Sequence, residues 1–182
     1  MKKTKNMVGT PKQINKISKK VSVSEKLEAI QNELIEKLGS LLHEEWRAPR
    51  KQKDGSFEAR IKKTKDESWI SIHKISEVDI ANTLYIDLPE DRKYENKASA
   101  EVAIKEIYKA VKDWKALDTE WIEAASDVIH QEWLKRNTWV YDPTYGNPLL
   151  AKPYTDLPEE EKEKDRTIIR KAIEMCHQVM HQ

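Results

Sequence analysis

Two histidines in this chain stand three residues ahead of a tryptophan, in Leu42-His43-Glu44-Glu45-Trp46 and in Ile129-His130-Gln131-Glu132-Trp133. An imidazole titrates near neutral pH and serves as base, metal ligand or hydrogen-bond partner. At helical spacing, a His and a Trp three residues apart share one face. A metal site would need a second convergent ligand, and neither stretch has the His-Glu-x-x-His spacing that sets two imidazoles on one side of a helix. More aromatics follow: Tyr85 after the first stretch, then Trp139, Tyr141 and Tyr154 after the second. Such rings wall a pocket or hold a planar base, and Arg47, Arg50 and Lys152 are near enough in sequence to face a phosphate. The ligand-binding candidates are therefore Trp46, Arg47, Tyr85, Trp133, Trp139, Tyr141, Lys152 and Tyr154. The competing reading of both histidines is structural, as rings packed on an apolar stripe and bonded across it. No nucleophile and base can be assembled from the spacing. Ser24, Ser40, Ser99 and Ser126 lack a nucleophile-elbow context, and Cys176 sits on an apolar helical stripe. No catalytic residue, metal or cofactor is expected.

Both His-x-x-Trp stretches belong to a larger repeat. Tyr85-Ile86-Asp87-Leu88-Pro89-Glu90 returns as Tyr154-Thr155-Asp156-Leu157-Pro158-Glu159, with five of six residues identical. The order is the same each time: His-x-x-Trp, a variable middle, Tyr-x-Asp-Leu-Pro-Glu, then a charged segment. Beyond the Leu-Pro, Ala100 corresponds to Ile169, Ile104 to Ile173 and Ile107 to Cys176. From His43 to Leu88 is 45 residues and from His130 to Leu157 only 27, so the first copy carries an insertion at about 50–83. An internal repeat governs the fold expectation.

Charged residues make up 36% of the 182, with only four glycines, which suits helices and opposes a glycine-rich phosphate loop. The first 20 residues hold seven lysines and no acid, so the net +1 hides a remainder near −6. Only that arm suits a nucleic-acid tether, and it interleaves no aromatic for base stacking. A single cysteine allows no internal disulfide and fits a reducing, cytoplasmic setting. No apolar run has membrane-spanning length.

Residues 1–22 are expected to form a disordered basic arm. A helix is expected from Ser24, capped by Ser22 or Ser24, with Leu27, Ile30, Leu34, Ile35, Leu38, Leu41 and Leu42 as its stripe and Pro49 as its end. Asp54-Gly55 reads as a turn. Phe57–Ile61 and Trp69–Ile72 read as short strands, and 78–83 as an extended piece or brief helical turn. Pro89 and Pro158 each start a helix with acids in the first turn, capped by Asp87 and Asp156. The first of these helices carries its apolar face as far as Val111 and Trp114. A further helix starts near Asp118 or Thr119 and runs through Trp133. After it, Trp139–Tyr141, a turn at 142–148 and Leu149–Lys152 read as a β-hairpin.

The second copy resembles the ryanodine-receptor repeat (RyR) domain. The resemblance lies in His130-x-x-Trp133, Trp139-x-Tyr141 and Pro148-x-x-x-x-Pro153-Tyr154-x-x-Leu157-Pro158-x-x-x-Lys162-x-x-Asp165-Arg166, and spans about residues 121–180. His43-x-x-Trp46 and Tyr85-x-x-Leu88-Pro89 carry a looser likeness in the first. The chain departs from the family at Asp142, where Gly is frequent, and at Asn147, where His is frequent. The resemblance implies an α+β, mainly helical fold of two RyR-like repeats, at 24–115 and 118–182. Each would have two helices and a short antiparallel hairpin, the pair being related by an approximate twofold. It implies a binding or interaction module that senses a nucleotide-derived small molecule in bacterial or phage–host signalling. The alternative is a protein–protein module docking on a host protein through the insertion.

Overall fold

The structure, a computed structural model, describes residues 11–180, with side chains from Glu25 to Val179 except Leu27. It is mainly helical. The helices are α1 (Pro11–Arg47), α2 (Glu67–His73), α3 (Glu90–Lys112), α4 (Thr119–Arg136) and α5 (Glu159–Met180). Two strands, β1 (Ile61–Lys63) and β2 (Glu77–Asp79), form an antiparallel pair with Lys62 opposite Val78. Among the described residues no helix is long and apolar enough to cross a membrane.

α1 begins at Pro11, ahead of the expected start at Ser24, so residues 11–22 of the predicted disordered arm are helical. Proline fits a first helical position, and the residues that follow it to Arg47 contain one glycine and no second proline. Residues 1–10 lie outside the described residues, as do the side chains of Ser22, Ser24, Leu27 and Met180. The chain divides into residues 1–33 and 34–182. In the first part the described side chains are exposed, Ile30 included, so the expected stripe is not buried there. From Leu34 onward it is: Leu38 and Leu42 are buried, while Leu41 faces out.

The core of residues 34–182 joins Leu38 and Leu42 to Ala100, Ala103, Ile104 and Ile107 of α3, Ala125 and Ile129 of α4, and Ile169, Ala172 and Met175 of α5. Of the positions paired by the repeat, Ala100 and Ile169 are both fully buried, whereas Ile104 and Ile107 are buried and their counterparts Ile173 and Cys176 only partly so. α3 stops at Lys112, and Trp114 adopts a left-handed conformation (φ 53°) in which Lys115 N–H reaches the Ala110 carbonyl. This turn ends the helix and leaves Trp114 95% exposed, so the expected apolar face stops at Ala110.

The insertion contains the expected turn at Asp54-Gly55, and Lys51 bridges Phe57 beyond it. The strand predicted at 57–61 does not form: only Ile61 falls in β1, and 78–79 belongs to β2. Trp69–Ile72 is not a strand but the centre of α2. Asp66 caps that helix by accepting from the Trp69 amide, and its other oxygen accepts from the Glu90 amide at the start of α3. Asp66 thus does the capping expected of Asp87. Asp87 lies in a 3-10 turn (Tyr85–Asp87), with the extended Leu88 and Pro89 between it and α3, and no side chain at the Pro89 N-cap position caps the helix. Asp156 likewise lies in a 3-10 turn (Tyr154–Asp156).

The predicted second hairpin is absent. Thr138–Tyr141 is a 3-10 turn, and residues 142–152 form an irregular loop. The Asp142 carboxylate accepts from the Thr144 and Tyr145 amides, winding the chain into a tight turn. Gly146 passes so close to the backbone of Val140 and Asp142 that a Cβ would sit 2.3 Å from the Asp142 carbonyl. Pro143, Pro148 and Pro153 also cannot donate to a ladder.

Candidate functional site

The residues of the two His-x-x-Trp stretches make the same contacts in both halves. The Nε2 of His43 donates to the Thr83 carbonyl (3.1 Å), and that of His130 to the Lys152 carbonyl (2.8 Å). Each acceptor precedes its tyrosine by two residues. A carbonyl only accepts, so Nε2 bears the proton in both rings. His43 stacks on Trp46 with centroids 5.8 Å apart, and His130 on Trp133 at 6.1 Å. The Tyr85 hydroxyl donates to Glu36 (3.2 Å), and the Tyr154 hydroxyl to Glu123 (2.9 Å). Lys93 and Lys162 lie 5.6 Å over the respective tyrosine rings. Lys97 pairs with Glu36 and Arg166 with Glu123. Burial and the neighbouring carboxylate raise both phenols, that of Tyr154 to about 12. Tyr85 and Tyr154 are therefore core pillars, each tying a 3-10 turn to the helix that carries its histidine.

Two cavities flank His130. The larger, of about 720 Å³, is lined by Trp46 at the end of α1 and Arg50 in the 3-10 turn that follows it, Glu95, Asn96 and Ser99 of α3, His130 and Trp133 of α4, and Lys164, Asp165 and Ile168 of α5. Four pairs of corresponding positions meet there: Trp46 with Trp133, Glu95 with Lys164, Asn96 with Asp165, and Ser99 with Ile168. The smaller, of about 350 Å³, is lined by His130, Leu134, Tyr141, Pro153 and Tyr154. The larger cavity is acidic. Glu45, Glu95, Glu160, Glu161, Glu163 and Asp165 line it against Arg50 and Lys164.

The halves differ where Asn96 corresponds to Asp165. The Asp165 carboxylate lies 3.6 Å from the Nδ1 of His130, beyond hydrogen-bonding distance. Burial, with Glu161 nearby, pushes Asp165 up to about 7. His43 has no such carboxylate, and burial lowers its ring despite the bond to Thr83.

The candidate residues are thus divided. Trp46 and Trp133 line the larger cavity, and Tyr141 and Tyr154 the smaller. Trp139 packs edge-on against Trp133 at 6.2 Å and bonds Asn137 through its indole N–H. The three cations expected to face a phosphate are not gathered. Arg47 is buried, with its guanidinium 3.9 Å over the Phe57 ring and paired to Glu44. Arg50 lies 4.2 Å over Trp46. Lys152 contributes its carbonyl to His130, and its exposed side chain borders neither cavity. Tyr85 is buried and touches neither. His130 and Asp165 are the residues that sequence reasoning left out of the site. The signals for the second were its place in the RyR-like motif and the register of the repeat, which matches it to Asn96.

Compared with known proteins, the chain matches no family model, no curated protein and no solved structure.

Proposed function

We propose that this chain is a non-enzymatic binding module of the bacterial or phage-infected cytoplasm, built from two RyR-like repeats related by an approximate twofold. A planar small molecule of the nucleotide-derived class occupies the cleft between them. One observation carries the reading: corresponding positions of both copies, Trp46 with Trp133 and Asn96 with Asp165, converge on one cavity of ligand size. The shared contacts of His43 and His130 support the repeat itself. Nothing in the lining pairs a nucleophile with a base, which favours recognition over turnover. Calorimetric titration with nucleosides and nucleotides tests it. Trp133→Ala is expected to weaken binding at least about tenfold by removing an aromatic wall. Lys152→Ala is expected to leave affinity within about twofold, because its ammonium borders neither cavity. A complete set of nucleosides and nucleotides without any heat of binding would end this reading.

The insertion supports a second reading, docking on a host protein. Ile61 in β1, Ile72 in α2 and Ile75 just after α2 are each more than half exposed, an apolar presence that the core does not use. Under that reading, Ile72→Asp together with Ile75→Asp abolishes capture of one specific partner in a pull-down and leaves the helical circular-dichroism signal intact. Capture that survives both changes would count against it.

A further inference from the structure

We propose that the outer edge of β1 takes an extended acidic polypeptide segment as a third strand of its sheet, an inference that rests on the reading of the insertion as a docking region.

The direction of the backbone carries the first part. β1 pairs with β2 alone, and all three of its residues are exposed. The Thr64 amide donates to the Ser76 carbonyl, and the Arg60 carbonyl accepts from the Ile80 amide. Peptide groups alternate in direction along an antiparallel strand, so residues 60, 62 and 64 address β2 while Ile61 and Lys63 turn theirs outward. No hydrogen bond among the described residues takes those outward groups. An open edge of this kind is a template for another strand.

Charge selects which strand. Residues 50–65 hold seven cations and two acids. Both acids are engaged: Asp54 accepts from the Ser56 amide and hydroxyl, and Glu58 pairs with Arg60 at 3.1 Å. The side chains of Lys51, Lys53, Lys62, Lys63 and Lys65 are exposed and make no ion pair or hydrogen bond among the described residues. Lys62, Lys63 and Lys65 lie on the edge or just past it, where opposite charges on a neighbouring strand stabilise pairing and like charges oppose it. A second copy of the same edge is therefore rejected and an acidic segment accepted. Lys62 and Lys63 point to opposite faces, so acids on either face of the incoming strand meet a lysine. Ile61, on the same face as Lys63 and 56% exposed, adds an apolar contact. A nucleic acid would also meet the lysines, but its backbone has no N–H for the outward carbonyls, and the nearby rings are occupied. Phe57 lies beneath the Arg47 guanidinium, and Trp69 stacks on His73 at 4.1 Å and donates to the Asp87 carbonyl.

Fluorescence anisotropy of the full chain with a labelled hexapeptide of alternating glutamate and valine tests the assignment. Its comparison probes are the lysine–valine counterpart, the glutamate peptide with its amides N-methylated, and oligothymidylate. The glutamate peptide is expected to bind at least about tenfold more tightly than the lysine peptide or the N-methylated one. Lys62→Glu together with Lys63→Glu is expected to weaken that binding at least about tenfold and to leave the helical circular-dichroism signal intact. Equal binding of the N-methylated peptide overturns strand pairing, and tighter binding of oligothymidylate overturns the choice of a polypeptide. Absence of glutamate-peptide binding, or binding that ignores both lysine changes, overturns the proposal outright. In the partner pull-down, capture lost with Ile72→Asp and Ile75→Asp but unmoved by Lys62→Glu and Lys63→Glu overturns the acidic strand and leaves the docking reading standing. Capture that survives all four changes removes both.

Discussion

Asp165→Asn is expected to stabilise the folded chain by on the order of 4 kcal/mol at pH 8 and by on the order of 2 kcal/mol at pH 5. The carboxyl in α5 is largely shielded from water, with its side chain 15% exposed, lies beside Glu161 and has no hydrogen-bond donor among the described residues; burial pushes it up to about 7 against an ordinary value near 3.8. Between those two values the folded chain holds a proton that the unfolded chain has released. Stability therefore falls as pH rises from about 4 to about 7 and stays low above it. Asparagine keeps the shape, removes the charge and is what the first copy already carries at position 96. His43 contributes with the opposite sign. Burial keeps its ring neutral in the fold, so that contribution is lost as pH falls below 6.5. It is common to both proteins and cancels in the comparison. Urea unfolding at pH 5 and pH 8 measures the difference. Equal stabilities of variant and wild type at both values would show that the carboxyl is not desolvated.

Gly39→Ala is expected to destabilise the chain by about 1–3 kcal/mol, although alanine is worth about 1 kcal/mol over glycine inside a helix. A Cβ at Gly39 would stand 2.6 Å from the Tyr85 hydroxyl and 3.1 Å from the ring carbon that bears it. Tyr85 has little freedom to retreat. It is buried, its hydroxyl donates to Glu36, and His43 and Lys93 pack on its ring. The corresponding position in the second copy is Ser126, fully buried, whose hydroxyl donates to the Ile122 carbonyl. The two tyrosines are therefore seated differently on their helices. Combining Gly39→Ala with Tyr85→Phe should cost less than the two changes added, because the nearest clashing atom is gone. Thermal melts of the two single variants and the double variant read this directly. A melting temperature raised by Gly39→Ala alone would refute the close approach.

Much of the helical framework was legible in local pattern. Leu38 and Leu42, the apolar face from Ala100 to Ile107, and Ile129 with Ile169 all recur at helical spacing, and burial follows that spacing. The repeat register matched burial at Ala100 and Ile169, but Ile104 and Ile107 are more deeply buried than their counterparts Ile173 and Cys176. These features depend on residues close in the chain, so the sequence by itself determined them. Where distant groups compete, it did not. Trp69–Ile72 has the β-branched and aromatic content of a strand, yet it is helical because Asp66 caps it and ties it to the start of α3. The loop after Trp139 has apolar residues enough for a hairpin, but the Asp142 turn and the close passage at Gly146 shape it otherwise. Residue type alone could not tell a phosphate-facing arginine from Arg47, whose guanidinium is spent on Phe57, or a pocket tyrosine from the buried pillar Tyr85. The chemistry of the cleft was decided by tertiary structure. Asp165 becomes a weakly acidic carboxyl because the packing around α5 takes most of its side chain out of water and sets Glu161 beside it. Desolvation is a property of the packed surroundings and is written in no single residue.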